Sequence, residues 1–148
     1  MRKVGLTTLG LLWAGLMAGA AQAENVGQKL YDNTCAACHG AAAVGGFAPP
    51  LVNPEQWKAM GEKAPLYFAQ VAAAGISGPL EVQGQSYRGL IMPPQSGIPA
   101  QDLSLIINYV LKDINGVDAL STTESVASAL QAPMTHSAIR EIRKGKSL

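Results

Sequence analysis

The sequence predicts an all-α protein of about four to six short helices. The clearest support is the segment from Ala100 to Ile114, where apolar residues recur at helical spacing: Leu103, Ile106, Ile107, Val110, Leu111 and Ile114. Shorter helical patterns, bounded by Gly, Pro or capping residues, precede and follow it. The exception is the segment between Gly75 and Leu90, where two extended pieces about Gln83-Gly84 predict a small hairpin.

Residues 1–23 read as a secretory signal. Arg2 and Lys3 precede an apolar run from Val4 to Ala20, and Ala21-Gln22-Ala23 forms a small-x-small cleavage site. The run is short and rich in Gly for a membrane span, and an uncleaved anchor is the alternative. We therefore expect the mature protein to begin at Glu24, to be exported to a periplasm and to have no membrane span after cleavage.

The chain carries an attachment motif for haem, Cys35-Ala36-Ala37-Cys38-His39. Each thiol can add across one vinyl group, and His39 then reaches the iron. A redox dithiol of the thioredoxin kind would need a βαβ pattern, which is not seen around Cys35. A structural zinc site normally needs four ligands, whereas the chain has two Cys and two widely separated His. The motif therefore predicts one covalently bound haem c.

The segments on either side of this motif resemble class I cytochromes c. Asn25 to Asn33 is predicted as a short helix that leads into the motif, and the Gly-rich residues 40–46 follow it, ahead of Phe47-Ala48-Pro49-Pro50-Leu51. The resemblance implies that the Pro49 carbonyl accepts a hydrogen bond from His39 and that Leu51 packs on the haem. The alternative is that Pro49-Pro50 is only a stiff turn.

Two further helices are predicted next. Asn53-Pro54-Glu55-Gln56 is a helix start, with Asn53 as the N-cap and Gln56 at the capping-box position, and the helix is expected to end near Gly61. Trp57 on this helix is a candidate donor to a haem propionate, or else part of the core. The third helix spans Ala64 to Ala74.

A second iron ligand is expected from Ile91-Met92-Pro93-Pro94. A thioether on a Pro-stiffened loop is a soft, neutral ligand for haem iron. The residues alone leave Met60, Met134, His136 and an open site as alternatives. The preceding stretch, of the form SGP-x-x-V-x-G-x-x-Y-x-G, resembles periplasmic cytochrome c domains associated with dehydrogenases, oxidases and nitrite reductases, and that resemblance implies Met92.

The helix from Ala100 to Ile114, ended by Asn115-Gly116, corresponds in the resemblance to the family's C-terminal helix, although Pro99 stands at its N-cap. The predicted haem domain is therefore 24–116. Residues 117–148 form an extension, with a capping box at Ser121-Thr122-Thr123-Glu124 and a last helix capped by Thr135. The extension either wraps the haem domain, docks on a partner or is a loose, solvated tail.

Together these features predict a cytochrome that transfers single electrons and is not itself an enzyme. The expected partners are a periplasmic dehydrogenase, reductase or terminal oxidase, with the protein either free or the haem subunit of a complex. The alternatives are a haem enzyme or gas sensor with an open sixth site, and a non-haem thiol redox protein. The sequence has no basic stripe with interleaved aromatic residues, which argues against binding to nucleic acid. Basic residues near the end could steer docking to an acidic partner: Arg140, Arg143, Lys144 and Lys146.

Overall fold

The computed structural model describes residues 25–145. The predicted secretory signal and Lys146 lie outside the described residues. Seven α-helices are present in this part of the chain: α1 Val26–Thr34, α2 Ala36–His39, α3 Pro54–Met60, α4 Ala64–Ala74, α5 Ala100–Asn108, α6 Thr123–Gln131 and α7 His136–Arg143. The protein is therefore mostly helical, as the sequence predicts.

Four very short strands form two separate antiparallel pairs. Their bounds are β1 Ile76–Ser77, β2 Leu80–Val82, β3 Gln85–Tyr87 and β4 Ile91–Met92. The β2–β3 pair is the hairpin that the sequence predicts about Gln83-Gly84. The β1–β4 pair was not predicted, and it sets Ile76 opposite Met92.

Helices α1 and α5 pack with almost no space between their backbones. The Asn25 side chain caps α1 by accepting from the Gln28 N–H at 3.2 Å. A β-carbon added to Gly27 would lie 2.5 Å from the Leu105 carbonyl oxygen, so only glycine permits this approach. One turn further on, the Tyr31 and Tyr109 rings meet with centroids 5.7 Å apart. This crossing positions the helix that leads into the thiol motif.

The helix predicted to run to Ile114 changes character before its end. Regular α-helix stops at Asn108, and Tyr109–Ile114 forms a π-helix. The Asn115 N–H bonds to the Lys112 carbonyl, while the Asn115 side chain donates to the Val110 carbonyl at 2.7 Å. The wider turn thus places a polar side chain in the core.

The C-terminal extension is folded onto the helical core. Helix α6 packs against α4 and α5, and α7 packs against α4. The extension buries four apolar side chains almost completely: Val126, Ala129, Ile139 and Ile142. Of the alternatives for these residues, the loose tail is therefore wrong, and residues up to 145 wrap the body of the protein.

Two predicted helix caps differ from the structure. The Asn53 side chain does not cap α3: its amide donates to the Gln56 side-chain oxygen at 3.0 Å instead of accepting from the helix backbone. The capping box of α6 joins Thr122 and Ser125, one residue later than predicted. Thr135 caps α7 as predicted, accepting from the Ala138 N–H at 3.2 Å.

Within residues 25–145, no helix combines the length and the apolar character needed to cross a bilayer.

Candidate cofactor site

One cleft in the structure gathers the residues that the sequence singled out. Its walls include Cys35, Cys38, His39 and Met92, together with Pro49, Leu51 and Trp57 from the predicted haem surroundings. The lining is mainly apolar, and the space not filled by protein is about 1390 Å³, part of it open to solvent. This is the setting that a large, flat, mostly apolar cofactor requires.

The two thiols lie on one turn of helix at the junction of α1 and α2. The Cys35 N–H bonds to the Tyr31 carbonyl at 2.7 Å, and the His39 N–H bonds back to the Cys35 carbonyl at 3.0 Å. Cys35 is half-buried and Cys38 is exposed, and neither is in a disulfide. The backbone therefore delivers both sulfurs and the imidazole from a single short segment.

Burial raises the pKa of the Cys35 thiol to about 11, and the neighbouring Cys38 adds to this effect. Cys35 is therefore a neutral thiol near pH 7. The attacking cysteine of a dithiol oxidoreductase instead has a lowered pKa, so that it is a thiolate. This difference weighs against the alternative of a thiol redox protein.

The His39 side chain is oriented by the backbone. Its Nδ1 lies 2.8 Å from the Pro49 carbonyl oxygen, which is the contact that the resemblance implied. Because a carbonyl can only accept, Nδ1 carries the proton and Nε2 keeps a free lone pair. Burial lowers the pKa of His39, although the bond to Pro49 opposes this in part. A neutral imidazole with one nitrogen fixed is the form that binds a metal.

The loop after His39 is tied back onto the thiol motif by its backbone. The Gly45 N–H bonds to the His39 carbonyl at 2.7 Å, and the Ala48 N–H bonds to the Cys38 carbonyl at 2.9 Å. Gly40 has φ +76°, and a side chain there would collide with the Gly45 carbonyl. These bonds bring Pro49 to the position from which it orients the imidazole.

Trp57 does not have the hydrogen bond predicted for it. Its indole N–H donates to the Leu51 carbonyl at 2.7 Å, so the predicted donation to a propionate is wrong. The ring is almost fully buried and stacks on Phe68, with centroids 5.8 Å apart. Trp57 therefore contributes an apolar wall of the cleft and fixes the carbonyl of Leu51, another of its lining residues.

Asn115 supports this wall, a role that sequence reasoning missed because Asn115-Gly116 was interpreted only as a helix stop. Its buried amide donates to the Leu51 carbonyl at 3.0 Å and to the Val110 carbonyl at 2.7 Å. Its side-chain oxygen accepts from the Asn53 N–H at 2.7 Å. One amide thus joins the end of the π-helix to the loop that lines the cleft.

Replacing Asn115 with Ala should lower the free energy of unfolding by about 2–4 kcal/mol, because three hydrogen bonds are lost. The Asn53 N–H and the Val110 carbonyl lose this partner, whereas the Leu51 carbonyl keeps its bond from the Trp57 indole. Urea unfolding of the two proteins measures the difference. Asn33→Ala is the matched control, since Asn33 is exposed on α1, and its change should stay within about 0.5 kcal/mol. Equal midpoints for the Asn115 variant and the unchanged protein would contradict this role.

Met92 enters the cleft from a tightly held strand. Its backbone lies in β4, paired with Ile76. A β-carbon on Gly75 would lie 2.5 Å from the Met92 carbonyl oxygen, and the Gln95 N–H bonds to the Ala72 carbonyl at 2.7 Å. The end of α4 therefore clamps this segment, and the Met92 side chain is half-buried in the cleft wall.

The other candidate ligands lie elsewhere. Met60 is buried in the core and Met134 packs against that core, and neither lines the cleft. The His136 ring is exposed on α7, with its nitrogens 3.3 Å from the Ser77 hydroxyl and from the Ala74 carbonyl. Among the methionines that the structure describes, Met92 alone shares the cleft with His39.

Where the structure describes them, the basic residues predicted to steer docking are bonded to neighbouring groups. Arg140 donates to the Pro79 carbonyl at 3.3 Å, and Lys144 pairs with Glu141 at 3.1 Å. Arg143 reaches the cleft and lines it. The Arg143 guanidinium is bonded to the Gln56 side chain and to the Glu81 carbonyl, so it is held against the body of the protein. Docking of this group of residues on an acidic partner stays a prediction.

Comparison with known proteins gives one positive finding. The family model described as Cytochrome c matches residues 25–112, which run from the N-cap of α1 into the π-helix after α5. This match covers more than half of the chain and includes the thiol motif, His39 and Met92. A search of the curated proteins gives no match.

Proposed function

Because the chain belongs to the cytochrome c family, we propose that it carries single electrons between redox proteins through one haem c, held by Cys35 and Cys38. His39 and Met92 are the proposed iron ligands. When bound, the haem supplies a one-electron couple between ferrous and ferric iron. The proposal of a single haem is supported by the sequence, in which Cys35 and Cys38 are the two cysteines present.

The observation that carries this proposal is the presence of four chemically matched side chains in one apolar cleft. Two thiols are available for thioether bonds. His39 has Nε2 free because Nδ1 is held by Pro49. Met92 offers a thioether from a separate, clamped strand. The residues present therefore fit the group that the family binds.

The ligand set favours an electron carrier over a haem enzyme or gas sensor. With His39 and Met92 both on the iron, no coordination position is left for a small-molecule substrate. Methionine ligation also raises the reduction potential relative to two histidines. The apolar wall formed by Trp57 and Phe68 limits the access of water, which tunes the potential in the same direction.

We place the protein in the periplasm, with a dehydrogenase, reductase or terminal oxidase as its partner, either free or as a subunit of that complex. The support is the composition of residues 1–23, which matches an export signal. Haem attachment to paired thiols also suits an exported protein, whose free thiols would otherwise tend to oxidise.

The direct test is to produce the full chain in a bacterium that is competent in cytochrome c maturation, and in the same strain without the maturation genes. We expect the purified product of the competent strain to keep its pigment after denaturation, with one haem per chain in a pyridine haemochrome assay. It should take up one electron in a reductive titration. A colourless product from the competent strain, or pigment that denaturation releases, would overturn the proposal.

A further inference from the structure

The cofactor cleft includes a cation that comes from outside the region matched by the family model. Arg143, on α7, lines the cleft alongside Gln56 and Tyr67. Its Nη1 donates to the Tyr67 hydroxyl at 3.2 Å, and its Nη2 donates to the Gln56 side-chain oxygen and to the Glu81 carbonyl oxygen, both at 2.8 Å. The guanidinium carbon lies 5.8 Å from the centroid of the Tyr67 ring. The C-terminal extension thus contributes directly to the wall of the cleft.

All three partners of this guanidinium are neutral. Among residues 25–145, no carboxylate forms an ion pair with Arg143. A guanidinium keeps its positive charge throughout the physiological pH range, and holding a charge against apolar surface costs free energy unless an anion compensates it. Its planar fork is also suited to binding a carboxylate with two hydrogen bonds.

The neighbours of Arg143 present donors in the same place. The Gln56 oxygen already accepts from both Arg143 and the Asn53 amide, so the Gln56 amide N–H groups are left to donate. The Tyr67 hydroxyl accepts from Arg143, so its own proton is also left to donate. Neither group has an acceptor among the residues that the structure describes. The Arg143 guanidinium and these two donors together form a site for an anion.

We infer that Arg143, with Gln56 and Tyr67, binds a carboxylate of the cofactor, namely a propionate of the haem. This inference rests on the proposed function, because haem supplies the carboxylate. The site gives the extension a role at the cofactor: α7 compensates the negative charge of the propionate. A positive charge near the iron favours the ferrous form, so Arg143 raises the reduction potential.

The test is a potentiometric titration of the full-length holoprotein and of three variants at one pH and one salt concentration. Arg143→Gln should lower the potential by about 59 mV, which is a tenfold change in the equilibrium constant for one electron. Arg143→Lys keeps the charge and should lose less than half of this shift. Arg140→Gln is the matched control, because Arg140 lies on the same helix and bonds to a carbonyl but does not line the cleft. The reduction potential of this control variant should equal that of the unchanged protein.

The reduction potential distinguishes the binding of a propionate by Arg143 from a purely structural role of this residue. If Arg143 only ties α7 to the body, Arg143→Gln should lower the urea midpoint and leave the potential unchanged, and that result overturns the inference. If Arg143→Gln gives no folded holoprotein, Tyr67→Phe is used instead. It removes one proposed donor and should produce a smaller fall, whereas an unchanged potential overturns the inference. A colourless unchanged protein would instead contradict the proposed function, before any variant is compared.

Discussion

Replacing Met92 with Ala should turn a low-spin holoprotein into one with high-spin character. It should also lower the reduction potential by on the order of 0.1 V or more, since the choice of axial ligands sets haem potentials over a range of about 0.8 V. The reason is that alanine cannot bind iron, so the sixth position opens or takes water. The ferric protein should lose the weak far-red band that arises from sulfur-to-iron charge transfer. The ferrous protein should bind carbon monoxide readily. Absorption spectra and a potentiometric titration measure all of these changes.

The fold should survive this substitution. Met92 pairs with Ile76 through backbone atoms, and its side chain is only half-buried. Met134→Ala is the matched control, since Met134 is also half-buried but packs against the core outside the cleft. We expect the control to keep the spectrum and the potential of the unchanged protein. If Met92→Ala also keeps both, Met92 is not a ligand, and a sixth site that is open or filled by another group becomes the better interpretation.

The parts of the fold that could be predicted are those set by local sequence. The apolar stripe of α5 and the stop at Gly75 after α4 each depend on residues within a few positions of one another. Helix α4 has the predicted bounds, and α5 begins at Ala100 as predicted, although its pattern did not reveal the π-helix that follows Asn108. The hairpin about Gln83-Gly84 is local in the same sense. The hydrogen bond between His39 and Pro49 was different, because it was implied by family resemblance and Pro49-Pro50 by itself fits a simple turn equally well.

The features that were missed depend on contacts between distant segments. The β1–β4 pair joins two-residue strands, which are too short to show any alternation of polar and apolar residues. The indole of Trp57 bonds to Leu51 because of the path of the intervening loop, which no helical pattern reports. Arg143 belongs to a basic segment whose composition is typical of a solvated tail. Its inward position follows from the packing of α7, since Ile139 and Ile142 on the same helix are buried.

Shortening the chain to end at Gly116 should abolish the cooperative fold. Deleting the extension exposes the faces of α4 and α5 that α6 and α7 cover, and it removes Val126, Ile139 and Ile142, each no more than 1% exposed. Truncating even one buried Ile to Ala costs about 2–5 kcal/mol, and the whole stability of a domain is about 5–15 kcal/mol. The loss of several such side chains together exceeds what a domain of this size can spare.

Polar contacts to the extension add to this cost. The Asn108 amide donates to the Ser121 carbonyl at 3.1 Å, and its oxygen accepts from the Ser121 N–H at 2.8 Å. The buried Gln70 side chain accepts from the Met134 N–H at 2.7 Å. Deletion removes these three hydrogen bonds, each of which contributes about 0.5–1.5 kcal/mol net.

Far-UV circular dichroism and urea unfolding measure the outcome. We expect the shortened chain to show no cooperative transition, and Ile139→Ala in the full chain to lower the free energy of unfolding by about 2–5 kcal/mol. Leu120→Ala is the control within the extension, because Leu120 is half exposed and should change stability by no more than about 0.5 kcal/mol. A shortened chain that unfolds at the urea midpoint of the full protein would mean that α1 to α5 form a complete core by themselves. Otherwise the extension is part of the folding unit, and its charges can be tested for partner binding only by point substitution.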